Sequence, residues 1–223
     1  MNRERNMTHD EARFSGGARP RVVLATRNAG KIAELAAPLG AFGVALVGLE
    51  DFPRIGEIEE TGATFEENAL IKARAVALAT GLVSIADDSG LVVDALGGAP
   101  GVHSARYADD WELLPGENRD RRNIRKLLHA VREVPEARRT CHFVSVMAAV
   151  RPDGRELCVR GEWPGRLLAA PRGTNGFGYD PVFFDPAIGR TAAELTREEK
   201  TARSHRGRAA AALLGHWQEF MRP

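Results

Sequence analysis

Two adjacent acids at the end of an apolar run are the side chains in this sequence best placed for chemistry. Asp87 and Asp88 follow Val83-Ser84-Ile85-Ala86. Side chains alternate between the faces of a strand, so only one of the two carboxylates enters a given pocket. Paired acids at the mouth of a buried strand are costly without a partner, which calls for a cation. Glu57, Glu59 and Glu60 lie on a loop shortly before; taken alone they read as a solvated acidic loop. Oxygen ligands without His or Cys suit Mg2+, which takes one or two carboxylates together with water and substrate phosphates. Thr26-Arg27-Asn28-Ala29-Gly30-Lys31 joins an apolar run to a helical one. Backbone N–H groups at a helix N-terminus, with a hydroxyl, an amide and an ammonium, make a phosphate cradle there. The turn matches neither GxxxxGK followed by Ser or Thr nor GxGxxG, and by itself it reads rather as an ordinary strand-to-helix turn with a surface lysine. The last group is Phe177-Gly178-Tyr179-Asp180 with Lys200, His205 and Arg206. Its glycines let backbone approach a flat ligand, Phe177 can stack on a base, and the three basic side chains supply donors. No protein nucleophile stands beside an activating base.

The elements that hold these residues follow from periodicity. Residues 21–26 (RVVLAT) are a buried strand ending in a tight turn, and residues 31–39 a helix with Ile32, Leu35, Ala36 and Leu39 on one face. A short strand covers 44–47. Thr64 and Glu67 form a capping box, and the helix behind it buries Ala69, Leu70, Ala73, Val76, Ala77 and Thr80 before ending at Gly81. The strand over 83–86 runs into Asp87-Asp88-Ser89-Gly90, and extended structure resumes over 91–94. Residues 118–134 read as a polar helix with Ile124, Leu127, Leu128 and Val131 inward. Residues 141–150 and 155–162 flank Pro152-Asp153-Gly154, the clearest hairpin in the chain. After a Gly- and Pro-rich loop over 171–181, Thr196-x-x-Glu199 opens a short helix. Ser204 caps the last one, which turns Leu213, Leu214, Trp217 and Phe220 inward. Early alternation with a late hairpin predicts an α/β fold, a mixed central sheet flanked by helices with the hairpin arm as a second lobe. Residues 1–20 read as a flexible N-terminal tail and 21–223 as a single domain.

Composition narrows the classes. The 223 residues are 43% hydrophobic and 27% charged, ordinary for a globular protein. No run of about eighteen apolar residues is present, so no membrane partner is expected. Residues 1–21 hold five arginines against three acids, which leaves the rest at 26 bases and 27 acids. A body of that balance lacks the basic excess of a nucleic-acid-binding surface. Cys141 and Cys158 lack metal-ligand spacing and are expected as two buried thiols in a reducing cytoplasm.

Five blocks then occur in order: TRNAGK at 26–31, ETGATFEENALIKARA at 60–75, IADDSGLVVDALGGAPGVHSARYA at 85–108, GTNGFGYDPVF at 173–183 and TAAELTREEKTARSHRG at 191–207. Together, over residues 21–217, they resemble the inosine/xanthosine triphosphate pyrophosphatase family of house-cleaning enzymes. Arg27 stands where that family more often has glycine. The resemblance implies an elongated α/β fold of two lobes with a cleft between them, a homodimer, and Mg2+-dependent hydrolysis of ITP, dITP and XTP to the monophosphate and pyrophosphate. It implies that Thr26, Arg27, Asn28, Ala29, Gly30 and Lys31 hold the triphosphate, with Lys72 as a second cation and Asn68 one turn before it on the same helix face. It makes Asp88 the proton acceptor and, with Glu59, a metal ligand, although Glu60 and Asp87 stay open as alternatives. Ser89 contacts substrate, and Phe177, Gly178, Tyr179, Asp180, Lys200, His205 and Arg206 read the base. The rival readings are a pyrophosphatase for other modified nucleotides and a non-catalytic nucleotide sensor.

Overall fold

Seven strands form one mixed sheet in the order β2-β1-β3-β4-β5-β6-β7 in the computed structural model, which describes residues 19–223. The predicted tail lies outside the described residues except for its last two. β1 (Arg21–Leu24) lies between β2 (Ala45–Val47) and β3 (Val83–Val93) and runs parallel to both. Parallel neighbours need crossovers, supplied by α1 (Ala29–Gly40) and α2 (Phe65–Thr80). From β3 onward the sheet is antiparallel: β4 (Thr140–Val150), β5 (Glu156–Leu167), β6 (Phe183–Asp185) and β7 (Arg190–Thr191). The hairpin predicted at Pro152-Asp153-Gly154 joins β4 to β5. α3 (Arg119–Ala130) precedes β4, and α4 (Arg197–Arg203) and α5 (His205–Phe220) close the chain. Among the described residues no helix is long and apolar enough to cross a membrane.

The period of two along the strands divides the core. Ile85, Met147 and Ala149 face α1 and α5 with Leu35, Leu39, Leu213 and Trp217. Ala86, Val144, Val146 and Ala148 face α2 with Ala69, Ala73, Val76 and Ala77. The far ends of the long strands supply a third cluster, in which Leu91, Phe143, Trp163 and Phe183 pack with Ile124 and Leu127 of α3. α5 approaches the sheet closely because β5 carries Gly161 there. A Cβ at that position would stand 2.3 Å from the carbonyl oxygen of His205 and 2.5 Å from the nitrogen of Ala209.

Several expectations change. β3 is not interrupted at Asp87–Gly90; those residues keep an unbroken ladder with Met147–Val144 of β4, since the charges are met on either face. The polar helix stops at Ala130, and Val131 stays buried in the turn that follows. Ala36 and Leu214 are exposed rather than inward. Cys141 is buried, but Cys158 is exposed. Strand alternation sets Cys158 between Glu156 and Arg160, whose side chains pair with Arg74 and Glu66 on the margin of α2, beyond the helix's cover.

Candidate active site

The sheet opens where β1 ends. Ala25 N–H still donates to the oxygen of Ile85 at 2.8 Å, but β3 continues past it, and among the described residues no strand of that edge covers the main-chain oxygen of Asp87. Two ammonium groups take its place: Lys31 Nζ donates to that oxygen at 3.1 Å and Lys72 Nζ at 2.9 Å. Ligand sites in α/β sheets lie beyond such carboxyl ends. Here a cleft of about 1200 Å³ begins, lined at this end by Thr26, Arg27, Asn28, Lys31, Lys72 and Asp88.

Lys31 is presented by the first turn of α1. Asn28 caps that helix, its Oδ1 accepting from Lys31 N at 3.1 Å, and Thr26 Oγ1 accepts from Asn28 N at the same distance. Two amides of the expected cradle are therefore already bonded within the turn. Ala29 and Gly30 lie outside the cleft lining. Gly30 instead passes under Phe177, where a Cβ would come within 2.8 Å of the ring. Arg27 reaches across the opening, its guanidinium donating to Ile55 O at 2.6 Å and Gly56 O at 3.4 Å, and so ties the turn to the acidic loop.

The two acids of β3 divide as their alternation requires. Asp87 is wholly buried on the α1 and α5 side. Its carboxylate accepts from Ser145 Oγ at 2.5 Å, pairs with Lys31 at 2.8 Å and is approached by Arg206 Nε at 3.5 Å. Burial opposes its charge, but Lys31 and Arg206 outweigh burial and hold the carboxyl far below the ordinary carboxylate range. Asp88 turns toward α2. Its Oδ1 accepts from Lys72 Nζ at 3.3 Å, while Oδ2, also buried, has no hydrogen-bond partner among the described residues. Burial raises its pKa against the pull of Lys72 and Lys31.

Lys72 also donates to Glu60 Oε1 at 2.5 Å, with Arg106 3.8 Å from the other oxygen of that carboxylate. Glu59 is exposed on the cleft wall with no such engagement among the described residues. Asn68 lies on the same face of α2 as Lys72 but is fully buried and outside the lining; its Oδ1 accepts from Gly62 N at 2.8 Å and so fastens the end of the acidic loop.

At the other end of the cleft the Gly-rich loop brings Phe177, Gly178, Tyr179 and Asp180 beside His205 and Arg206. The Phe177 ring has Lys200 Nζ and Arg206 Cζ each 5.1 Å from its centroid. Lys200 is buried and outside the lining, ion-paired with Asp180 and with Glu34 Oε1 at 2.5 Å. Arg206 donates to Glu34 Oε2 at 2.6 Å and to Ser89 Oγ at 2.6 Å. Glu34, unremarked in the sequence, thus joins both cations, which hold it in the ionised form despite its burial. Its only local signal is a position one turn after Lys31 on α1. His205 stacks on Phe143 with ring centroids 4.7 Å apart, and burial pushes its pKa well below the usual imidazole range.

Among the described residues no three His, Cys, Asp or Glu group tightly enough to hold a metal unaided. Mg2+ needs fewer protein ligands than that when it shares phosphate oxygens. The unpartnered, buried Oδ2 of Asp88 and the exposed carboxylate of Glu59, both on the cleft lining, fit such a cation.

The model of the Ham1 family matches residues 22–216. The chain is 60% identical over 201 residues to a dITP/XTP pyrophosphatase of Nitratidesulfovibrio vulgaris, covering 90% of this chain and 97% of the relative. Among solved structures it resembles a HAM1 protein from Coxiella burnetii, with a TM-score of 0.80 and 42% identity over 90% of this chain and 99% of that one. It also resembles a nucleoside-triphosphatase / dITP/XTP pyrophosphatase from Mycobacterium abscessus, with a TM-score of 0.70 and 50% identity over 87% of this chain and 98% of the other.

Proposed function

The chain belongs to the Ham1 family, and from that premise we propose that it hydrolyses non-standard purine nucleoside triphosphates, ITP, dITP and XTP, to the monophosphate and pyrophosphate. One observation carries the reading. A single cleft joins a cationic end, with Lys31, Lys72 and the incompletely partnered Asp88, to an aromatic, donor-bearing end with Phe177, His205 and Arg206.

In this reading Lys31 and Lys72 bind the phosphates and stabilise the charge that develops on them. Both are pre-set by the shared Asp87 oxygen, so little reorganisation accompanies binding. Asp88 accepts the proton of the attacking water; burial raises its pKa against the pull of Lys72 and makes it a stronger base than an exposed carboxylate. Asp88 and Glu59 would hold Mg2+, which when bound neutralises phosphate charge that would repel the water. Phe177 supplies the stacking surface, and Lys200, His205 and Arg206 set the polar pattern that the base meets. Hypoxanthine and xanthine carry a 6-keto acceptor, whereas adenine carries a 6-amino donor. Donors aimed at the 6-position accept the first two and face adenine donor to donor, and such sites discriminate by about 10⁴. Residues 21–223 act as one two-lobed unit, a homodimer in the cytoplasm.

The test is pyrophosphate release from ITP, XTP, GTP and ATP on one preparation, with and without Mg2+. The expected outcome is metal-dependent release from ITP and XTP, with ATP and GTP poor. Tight ITP binding without any release would make the protein a sensor instead, and equal kcat/KM for ITP and ATP would remove the base-reading role.

A further inference from the structure

Asp120 belongs to none of the motifs above, yet its carboxylate holds the loop that carries Phe177. It stands in the first turn of α3, behind the Asn118 cap, where an acidic side chain suits the helix end. Its Oδ2 accepts from Gly178 N at 2.7 Å. The preceding amide, Phe177 N, donates to Asp180 Oδ2 at 2.9 Å. Carboxylates from two separate parts of the chain therefore grip successive amides of one turn, and hydrogen bonds to a charged acceptor are the stronger kind. The Phe177 ring stands where that grip leaves it, over Gly30 and 5.1 Å from each of the cations of Lys200 and Arg206.

A second set of bonds shows that α3 serves this end of the cleft as a rigid support. One turn beyond Asp120, the buried Asn123 accepts from Ala108 N at 2.8 Å and donates to Ala105 O at 3.1 Å. The Tyr179 hydroxyl donates to Ser104 O at 2.8 Å, and Ser104 Oγ accepts from Leu91 N of β3 at 2.9 Å. α3, the 104–108 segment and the Phe177–Asp180 loop are thus one hydrogen-bonded rim. Asp120 links α3 to Gly178, the residue that follows the stacking Phe177. The lysine end of the cleft is built on α1, α2 and β3, to which Asp120 makes no hydrogen bond among the described residues.

We propose that Asp120 is a positioning residue for base discrimination: through the Gly178 amide it fixes the Phe177 ring and thereby the preference among purines, with no part in phosphate chemistry. This rests on the pyrophosphatase reading above. A merely structural residue would lower all activities together; a positioning residue at the base end changes KM and selectivity while sparing kcat.

The experiment compares the parent, Asp120→Ala and Asp120→Asn by kcat and KM for ITP and ATP and by hydrogen exchange at the Gly178 amide. Asp120→Ala is expected to raise KM for ITP roughly tenfold, the scale of one lost charge-assisted bond, with kcat within about threefold, a narrowed ITP-to-ATP ratio and faster exchange at Gly178. Asp120→Asn keeps an oxygen that accepts from Gly178 N and should stay within about threefold of the parent on every measure. An unchanged ITP-to-ATP ratio in Asp120→Ala overturns the proposal, as does an equal fall in kcat for both nucleotides or an Asp120→Asn protein as impaired as Asp120→Ala. If Asp120→Ala does not fold, Asp120→Glu, one methylene longer, is measured instead, and a shifted ratio supports the proposal where an unshifted one overturns it. A parent that releases no pyrophosphate from ITP overturns the pyrophosphatase reading and this role with it. A parent that releases it while Gly178 exchanges freely overturns the Asp120 grip alone.

Discussion

Asp87 and Asp88 share a peptide bond and face opposite sides of β3. Asp87 is enclosed by Lys31, Ser145 and Arg206, whereas Asp88 meets Lys72 through one oxygen and keeps the other unpartnered among the described residues. The alternation of an extended strand thus gives two identical side chains different chemistry. One is a fixed counter-ion inside the protein. The other is a base at the surface of a cleft.

Substitution should separate them. Asp88→Asn is expected to fold normally and lose turnover by about 10²–10⁴-fold, because an amide accepts no proton and is a poorer metal ligand. Asp87→Asn leaves Lys31 without its paired anion, while Arg206 keeps Glu34, and removing one partner of a buried pair costs about 3–5 kcal/mol. Its melting temperature should fall far more than that of Asp88→Asn. A stable Asp88→Asn enzyme with near-normal pyrophosphate release would remove Asp88 from the chemistry.

Lys31→Ala and Lys72→Ala should each lower kcat/KM for every triphosphate by a similar factor, since phosphates carry no base information. A marked change in the ITP-to-GTP ratio at unaltered overall rate would exclude phosphate binding for the lysine concerned.

Local signals made much of this frame legible. The capping boxes at Thr64 with Glu67 and Thr196 with Glu199 mark true helix starts, and the Pro152-Asp153-Gly154 turn joins two long antiparallel strands. What stayed hidden depends on contacts distant in sequence. Glu34 looks like any solvated helix acid, yet it meets Lys200 and Arg206, 166 and 172 residues away. Lys200 looks solvated for the same reason and is buried because Glu34 and Asp180 neutralise it. Ser145, inside an apolar strand, carries no sign that it serves Asp87. The continuity of β3 was hidden too, because two acids in a strand are unfavourable until their partners are known.

The two cysteines should differ sharply toward a thiol reagent at mildly alkaline pH. Burial pushes the Cys141 thiol up to about 12, and the thiolate is the reacting form. Cys158 is exposed on β5, though its partial burial also raises its pKa. Titration of the native protein should modify one thiol, and Cys158→Ser should abolish that reaction. Cys141 should react only after unfolding; two thiols reacting at equal rates in the native state would contradict the packing of β4.

Acid should destabilise the protein through His205 before the carboxylates contribute. His205 is 2% exposed, and burial, with Arg206 and Lys200 nearby, keeps its ring neutral far below the usual imidazole pKa. In the unfolded chain that pKa returns to about 6.5. Between the two values the unfolded state binds one more proton than the native state, so stability rises with pH and is lost as pH falls below about 6.5, by at most about 1.4 kcal/mol per pH unit. Asp87 and Glu34, both held below the ordinary carboxylate range, add their own acid losses only around and below pH ~4, where the unfolded carboxyls titrate. Asp88 and Asp180, whose pKa values burial raises, contribute with the opposite sign in parent and variant alike, so the histidine is read from the difference between the two proteins. His205→Phe keeps a ring to stack on Phe143 and removes the proton, so unfolding free energies between pH 7 and 5 should fall more steeply toward acid for the parent than for the variant. Equal slopes in the two proteins would show that His205 already carries its proton in the folded state, and the cleft would then hold one positive charge more than the geometry assigns to it.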